Sequence, residues 1–183
     1  LTVTGVQTCA LPISEADQKN DHGKILVALS VFVLDGKKEI ILPLIKYDFN
    51  KAELRAESIV DLDKLIESLL DNPNVVIELK SHTDFVGSNA QNNKLSQQRA
   101  DACIAYLVSQ GINVGQLAAK GMGEKEPFVI EEKDGRFKVG DVLTESYIKK
   151  IRFKKNREKA HQYNRRTSFK VLREDYVPTN DNK

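Results

Sequence analysis

The feature that most constrains this chain is a switch of hydrophobic pattern across a three-residue stop. Over residues 53–71, Leu62, Leu65, Ile66, Leu69 and Leu70 recur at helical spacing, with Asp61, Asp63, Lys64 and Glu67 between them. The spacing predicts an amphipathic helix. Asn72-Pro73-Asn74 stops it. The near-continuous apolar run 75–79 follows at once, as expected of a strand covered on both faces. A second helix is expected over 90–110, ended by Gly111. A short strand over 117–120 follows and is expected to break at Gly121-Met122-Gly123. Strands and helices that alternate in this way pack as helices on one sheet.

The flanks extend the pattern. Residues 24–34 and 39–49 read as strands around the hairpin signal Asp35-Gly36. Pro43 argues for an edge position or a bulge. Residues 81–89 read as a loop. Within 124–163, Asp134-Gly135 suggests a turn and 146–160 a basic helix, so 127–162 is read as an insertion. Residues 167–172 form the expected last strand. The fold class is α/β: an α+β sandwich of two helices on a mixed sheet, with an inserted helical segment before the last strand. One domain is expected over 23–174, with its core over 39–172 and a disordered tail over 175–183. The text GVQTCALPIS within residues 1–14 looks like translated library-adapter sequence. Residues 1–22 are therefore read as non-native or disordered, and the native start, with any export signal or lipid anchor, is expected to be missing.

Composition narrows the class. Of 183 residues, 40% are hydrophobic and 30% charged, the balance of a globular protein rather than a disordered one. No stretch approaches the roughly 20 apolar residues of a membrane helix. Cys9 and Cys103 form no C-x-x-C pair, which argues against a thiolate zinc site. A single disulfide between them stays open, and Cys103 reads as a small core residue. The net charge is only +2, but residues 149–173 hold eleven Lys or Arg and one acid, Glu158. That run is either a solvated helix face or a surface that attracts an anionic polymer.

Arg99 is the residue that does not fit. On the second helix Leu95, Cys103, Tyr106 and Leu107 make the stripe that should face the sheet, and position 99 falls inside it. An arginine there keeps its charge and must reach water or an anion. Asp84, in the loop between the strand 75–79 and this helix, is placed near the same rim. The pair is either a plain salt bridge or a ligand site. As a site it matches a zwitterion, with Arg99 taking a carboxylate through two hydrogen bonds and Asp84 an ammonium. A free amino-acid end presents that group.

The ordered motifs carry a resemblance. Tyr47-Asp48-Phe49-Asn50-Lys51 with Leu54, then Ser81-His82-Thr83-Asp84 and Gly87, Leu95-Ser96-Gln97-Gln98-Arg99-Ala100, Lys120-Gly121-Met122-Gly123-Glu124, and Asn164-Arg165-Arg166 with Phe169 follow one another. Together, over about 39–172, they are similar to the OmpA-like, peptidoglycan-associated domain, especially its Bacteroidetes versions. The resemblance implies a β-α-β-α-β-β sandwich and non-covalent binding of the peptidoglycan stem peptide at diaminopimelate. It implies that Asp84 and Arg99 hold that group, with Thr83, Asn92 and Asn50 assisting. It places the domain at the periplasmic face of the outer membrane, tied to an anchor or barrel elsewhere in the full-length protein. It implies no enzyme activity, cofactor, metal or nucleic-acid partner. Ser81 stands where the family motif usually has Gly, and the insertion is longer than in many members.

Other constellations carry less. His82 reads as a structural ring hydrogen-bonded beneath its loop, although a wall-acting hydrolase using His82 and nearby acids is the enzymatic alternative. His22 and His161 lie far from it in sequence, and the three histidines show no metal spacing. Glu124, Glu126, Glu131, Glu132 and Asp134 read as solvated loop charges. The run 148–159, with Tyr147, Phe153 and Tyr163, interleaves basic and aromatic residues, which is the pattern behind a nucleic-acid-binding alternative.

Overall fold

The structure is a computed structural model that describes residues 39–177 except positions 44, 46, 48 and 49. The strand expected over 24–34, Cys9 and the adapter-like segment lie outside the described residues. In chain order the elements are β1 (Ile40–Leu42), α1 (Ala56–Asp71), β2 (Val76–His82), α2 (Asn89–Ser109), a 3-10 turn (Val114–Gln116), β3 (Leu117–Gly123), α3 (Glu145–Lys149), α4 (Lys154–Asn164) and β4 (Thr167–Arg173). The strands form one mixed sheet in the order β1-β4-β2-β3. β2 and β3 run parallel because α2 carries the chain back between them. β4 lies antiparallel to both β2 and β1.

Alternation along the strands sorts the two faces. Ile77 and Leu79 of β2, with Phe169 and Val171 of β4, bury against Leu62, Leu65, Ile66 and Leu69 of α1 and Cys103 and Leu107 of α2. Each such aliphatic or aromatic side chain, fully buried, stabilises the fold by about 1.5–3 kcal/mol. The reverse face carries charge instead. Lys80 Nζ lies 3.0 Å from Glu39 Oε2, and Lys170 Nζ lies 3.4 Å from Glu78 Oε2.

α2 is punctuated at both ends. Ser88 Oγ accepts from Gln91 N–H while Gln91 Oε1 accepts from Ser88 N–H, a reciprocal cap. At the other end Gly111 N–H donates to the Val108 carbonyl and Ile112 N–H to that of Leu107, with Gly111 at φ +93°. Gly111 therefore ends the helix as expected.

Several expected boundaries move. β2 runs on through Ser81 and His82, which were expected in a loop; their backbones still pair with β3, and that of Ser81 with β4. β3 runs through Gly123, so its glycines do not break it. They serve close packing: a Cβ on Gly121 would stand 2.3 Å from the backbone nitrogen of Gln97 on α2. β1 is only three residues long and gives way before Pro43.

The insertion builds its own small core from Ile130, Phe137, Leu143, Ile148, Ile151 and Ala160. The single basic helix expected over 146–160 is two helices. One straight helix of that length would span about 22 Å, whereas the break at 150–153 folds the chain back so that Ile148, Ile151 and Ala160 share one cluster. Asn164 staples the insertion: its Oδ1 accepts from Phe128 N–H and its Nδ2 donates to the Leu143 carbonyl, both at 2.8 Å. Tyr163 stacks on Phe128 with ring centroids 5.1 Å apart and donates to Asp134. Burial and then that bond push its hydroxyl up to about 12. The tail does not leave the body at 175, since Tyr176 N–H donates to the Asn74 carbonyl at 3.0 Å.

Candidate functional site

The site forms where the parallel strands β2 and β3 end and the chain turns into α2, the carboxyl edge at which open sheets leave a crevice. Thr83 N–H donates to the Gly123 carbonyl at 2.9 Å, tying the outgoing loop to β3. Asp84 Oδ1 accepts from Val86 N–H at 3.1 Å, and Gly87 takes φ +109° so that the chain can reverse into the cap at Ser88. Asn92, one turn into α2, donates to the Asp84 carbonyl at 3.1 Å and to Glu124 at 2.6 Å. These bonds fix the loop on three sides and hold the Asp84 carboxylate, with the residue 6% exposed, at the rim.

Arg99 lies on the same edge and is 4% exposed. Its Nε donates to the Lys51 carbonyl at 3.0 Å, and its guanidinium lies 4.5 Å over the Tyr47 ring. Tyr47 is fixed in turn by its hydroxyl, 3.3 Å from the Arg99 carbonyl and 3.2 Å from Cys103 Sγ. Burial lifts the Cys103 thiol to about 11, so this sulfur stays protonated. Asn50, at φ +55°, turns the backbone just before Lys51 and so presents that carbonyl to Arg99. Burial lowers the guanidinium pKa, Asp84 counteracts that and Arg165 adds to it. Arg99 stays charged, and its charge feels both Asp84 and Arg165.

The insertion completes the cluster. Arg165, at the end of α4, donates through Nη1 to Asp84 Oδ2 at 2.5 Å, and its Nη2 donates to Glu158. His161 Nδ1 lies 3.1 Å from the same Oδ2, and its ring stands 4.9 Å from that of Phe85. Among the described residues no ion pair joins Asp84 to Arg99 directly. In place of a plain salt bridge between them, one guanidinium and one imidazole, those of Arg165 and His161, contact the Asp84 carboxylate, and Arg99 senses its charge without an ion pair.

All five expected site residues meet at this edge, in different capacities. Asp84 and Arg99 supply the opposed charges. Asn92 is a clamp on the loop, with both of its donor contacts made inside the protein. Asn50 acts through backbone conformation and its side chain is exposed. Thr83 is 5% exposed, and its hydroxyl has no hydrogen-bond partner among the described residues. His161 and Arg165 were missed. Their one sequence signal is Arg165 within the Asn164-Arg165-Arg166 motif. His161, set aside as remote in sequence, is in contact with Asp84.

His82 points to the reverse face, away from this cluster. It is 1% exposed, its Nε2 is 3.5 Å from Glu39 Oε1, and neither ring nitrogen makes a hydrogen bond among the described residues. The expected structural ring is thus buried, but without the hydrogen bond expected of it. Burial pushes its pKa below the ordinary value. Burial would raise the Glu39 carboxyl, but contacts with His82, Ser168 and Lys80 outweigh it and hold the group well below the usual range.

The same residues answer to a known family. The OmpA family model matches residues 46–139, a span that holds β2, α2, β3 and the Asp84–Arg99 edge. The chain belongs to the OmpA family. Among its relatives, Outer membrane protein A of Shimwellia blattae is 42% identical over 83 residues, 44% of this chain and 34% of that protein. Outer membrane protein A of Serratia marcescens is 38% identical over 96 residues, 51% of this chain and 27% of that protein. The chain thus spans about a third or less of these relatives' length. In fold the OmpA-family chain is similar to the peptidoglycan-associated lipoprotein from Burkholderia pseudomallei, with TM-score 0.52 at 20% identity over 74% of this chain and 91% of that one. It is also similar to a MotB-like protein from Desulfovibrio vulgaris, with TM-score 0.54 at 18% identity over 91% of this chain and 95% of that one.

Proposed function

We propose that this OmpA-family domain is a non-catalytic anchor that binds peptidoglycan by the diaminopimelate of its stem peptide, and so ties an outer-membrane protein to the wall from the periplasmic side. The observation that carries the reading is the placement of Asp84 and Arg99, each less than a tenth exposed, at one edge of the sheet without a direct bond between them. Each charge has partners within the protein, Asp84 in Arg165 and His161 and Arg99 in the Lys51 carbonyl and the Tyr47 ring, and each keeps the sign that a zwitterion would meet. An α-amino-acid head group matches both, its carboxylate on Arg99 and its ammonium on Asp84. Thr83, with its spare buried hydroxyl, adds a hydrogen bond, while Asn92 holds the loop that presents Asp84 and Asn50 turns the loop whose Lys51 carbonyl fixes Arg99. The family membership and the name of the peptidoglycan-associated lipoprotein support the wall as the partner.

Entry of the ammonium has a consequence for the insertion. Asp84 Oδ2 already receives Arg165 and His161. A ligand ammonium must replace one of them, so binding and the seating of α4 are linked. A single head group gives modest affinity, and firm anchoring comes from many wall contacts acting together. Incubation with purified sacculi followed by sedimentation tests the reading: the unaltered protein sediments, while Asp84→Asn and Arg99→Gln stay in solution with unchanged far-ultraviolet circular dichroism. Sedimentation of both variants at the unaltered level overturns it.

A further inference from the structure

The join between α3 and α4 lies apart from the Asp84 cluster in its chemistry. Lys149, Lys150, Arg152, Lys154 and Lys155 fall within seven residues, and all are exposed. Among the described residues only Lys149 of these five has an ion pair, with Glu145 at 2.6 Å. In their midst Phe153 is 65% exposed, with the Arg152 guanidinium 5.9 Å from its ring centre. The segment is not loosely held. Ile148 and Ile151, each 1% exposed, pin it to the insertion core and turn Phe153 and its cations outward.

Apart from the Lys149–Glu145 pair and the Arg152–Phe153 contact, these outward side chains do nothing evident for the fold. Phe153 sits at the N-cap of α4 and makes no side-chain cap there, where Ser, Thr, Asp or Asn would be preferred. Lys154 and Lys155 open the helix at the positive end of its dipole, where cations are unfavourable, and the first turn holds no acid. A bare aromatic, a missing cap and four cations without an ion pair among the described residues break three local rules in one place, which marks a surface shaped by an external partner.

We propose that this surface docks on a bilayer carrying anionic phospholipid. The five cations meet lipid phosphates, and Phe153 buries in the boundary between head groups and acyl chains. A bilayer fits better than a soluble polyanion, because a polyphosphate offers nothing apolar to Phe153. It fits better than nucleic acid, which favours successive rings for stacking. Here Tyr147 and Tyr163, the other rings of the run, pack into the insertion core.

The full chain contains no Trp, so Phe153→Trp installs a single fluorescent reporter on the surface. With vesicles of phosphatidylcholine and phosphatidylglycerol its emission shifts to the blue, and added salt reverses the shift. Phosphatidylcholine vesicles alone, inorganic polyphosphate and duplex DNA leave it unshifted. In sedimentation with the mixed vesicles, Arg152→Ala/Lys154→Ala/Lys155→Ala partitions on the order of a hundredfold less, about fivefold for each charge removed. All of these positions are exposed, and circular dichroism checks the fold of each variant. Binding to mixed vesicles without a blue shift, equal binding by the triple variant, or binding to polyphosphate or DNA in place of vesicles overturns the proposal. Failure of sacculus binding does not bear on it.

Discussion

Asp84 and Arg165, 81 positions apart, meet at 2.5 Å, so the insertion is fastened to the same carboxylate that the site presents. Asp84, the recognition group of the proposed function, is thereby also the hook on which α4 hangs. The bond joins the insertion core to the main sheet through a residue that sits on neither.

Arg165→Ala removes the closer of the two cations. Breaking a buried pair can cost about 3–5 kcal/mol, but Arg165 is 29% exposed and His161 remains on Asp84. Solvent screening reduces the expected loss to about 1–2 kcal/mol, read by urea denaturation. Amide exchange should quicken across α4 and stay unchanged in α1.

Gly121→Ala probes the contact between β3 and α2. Its Cβ would fall 2.3 Å from the Gln97 nitrogen and 2.6 Å from the Gln97 Cα, and these are backbone atoms that cannot swing aside. The expected loss is about 3 kcal/mol, at the upper end for overpacking, with a matching drop in the midpoint of thermal unfolding. Gly111→Ala and Gly135→Ala meet nothing within 4 Å, so any loss there comes from their positive φ alone and is smaller.

The reverse face makes stability depend on pH. His82 has a lowered pKa in the fold, so below its ordinary 6.5 the unfolded chain takes up a proton that the folded one refuses. Stability is therefore complete above about 6.5 and falls as pH drops below it, by at most about 1.4 kcal/mol per pH unit for one proton. Glu39, also lowered, adds a second loss as pH falls through 4.5, the ordinary value of its carboxyl. Thermal melts from pH 8 down to pH 2 should show both limbs, and Glu39→Gln should remove the lower one.

How much of this was legible in the sequence follows from range and period. The stripes of α1 and α2 repeat over three or more turns, so both helices and the placement of Arg99 among buried residues could be read directly. The carboxyl ends of β2 and β3 could not. Ser81 and His82 are polar where a strand was expected to end, and Gly121 and Gly123 suggest a break. Both departures arise because the strands run on into the site, where β3 must lie against α2 backbone. His161 and Arg165 escaped for another reason. Their contacts with Asp84 span 77 and 81 positions, and no periodic pattern ties a helix in an insertion to a loop so far upstream. The split of the basic run at 150–153 was hidden likewise, since only the shared burial of Ile148, Ile151 and Ala160 explains it.

The central claim is that one amino-acid head group is held between Asp84 and Arg99, and nuclear magnetic resonance titration with meso-diaminopimelate tests it most directly. The account predicts saturable shifts at the Thr83, Asp84 and Phe85 amides and at Arg99 Nε, with accompanying shifts along α4 as His161 or Arg165 gives way, and none of these in Asp84→Asn. A spectrum that stays unchanged at millimolar ligand, or shifts confined to the α3–α4 join, would contradict it.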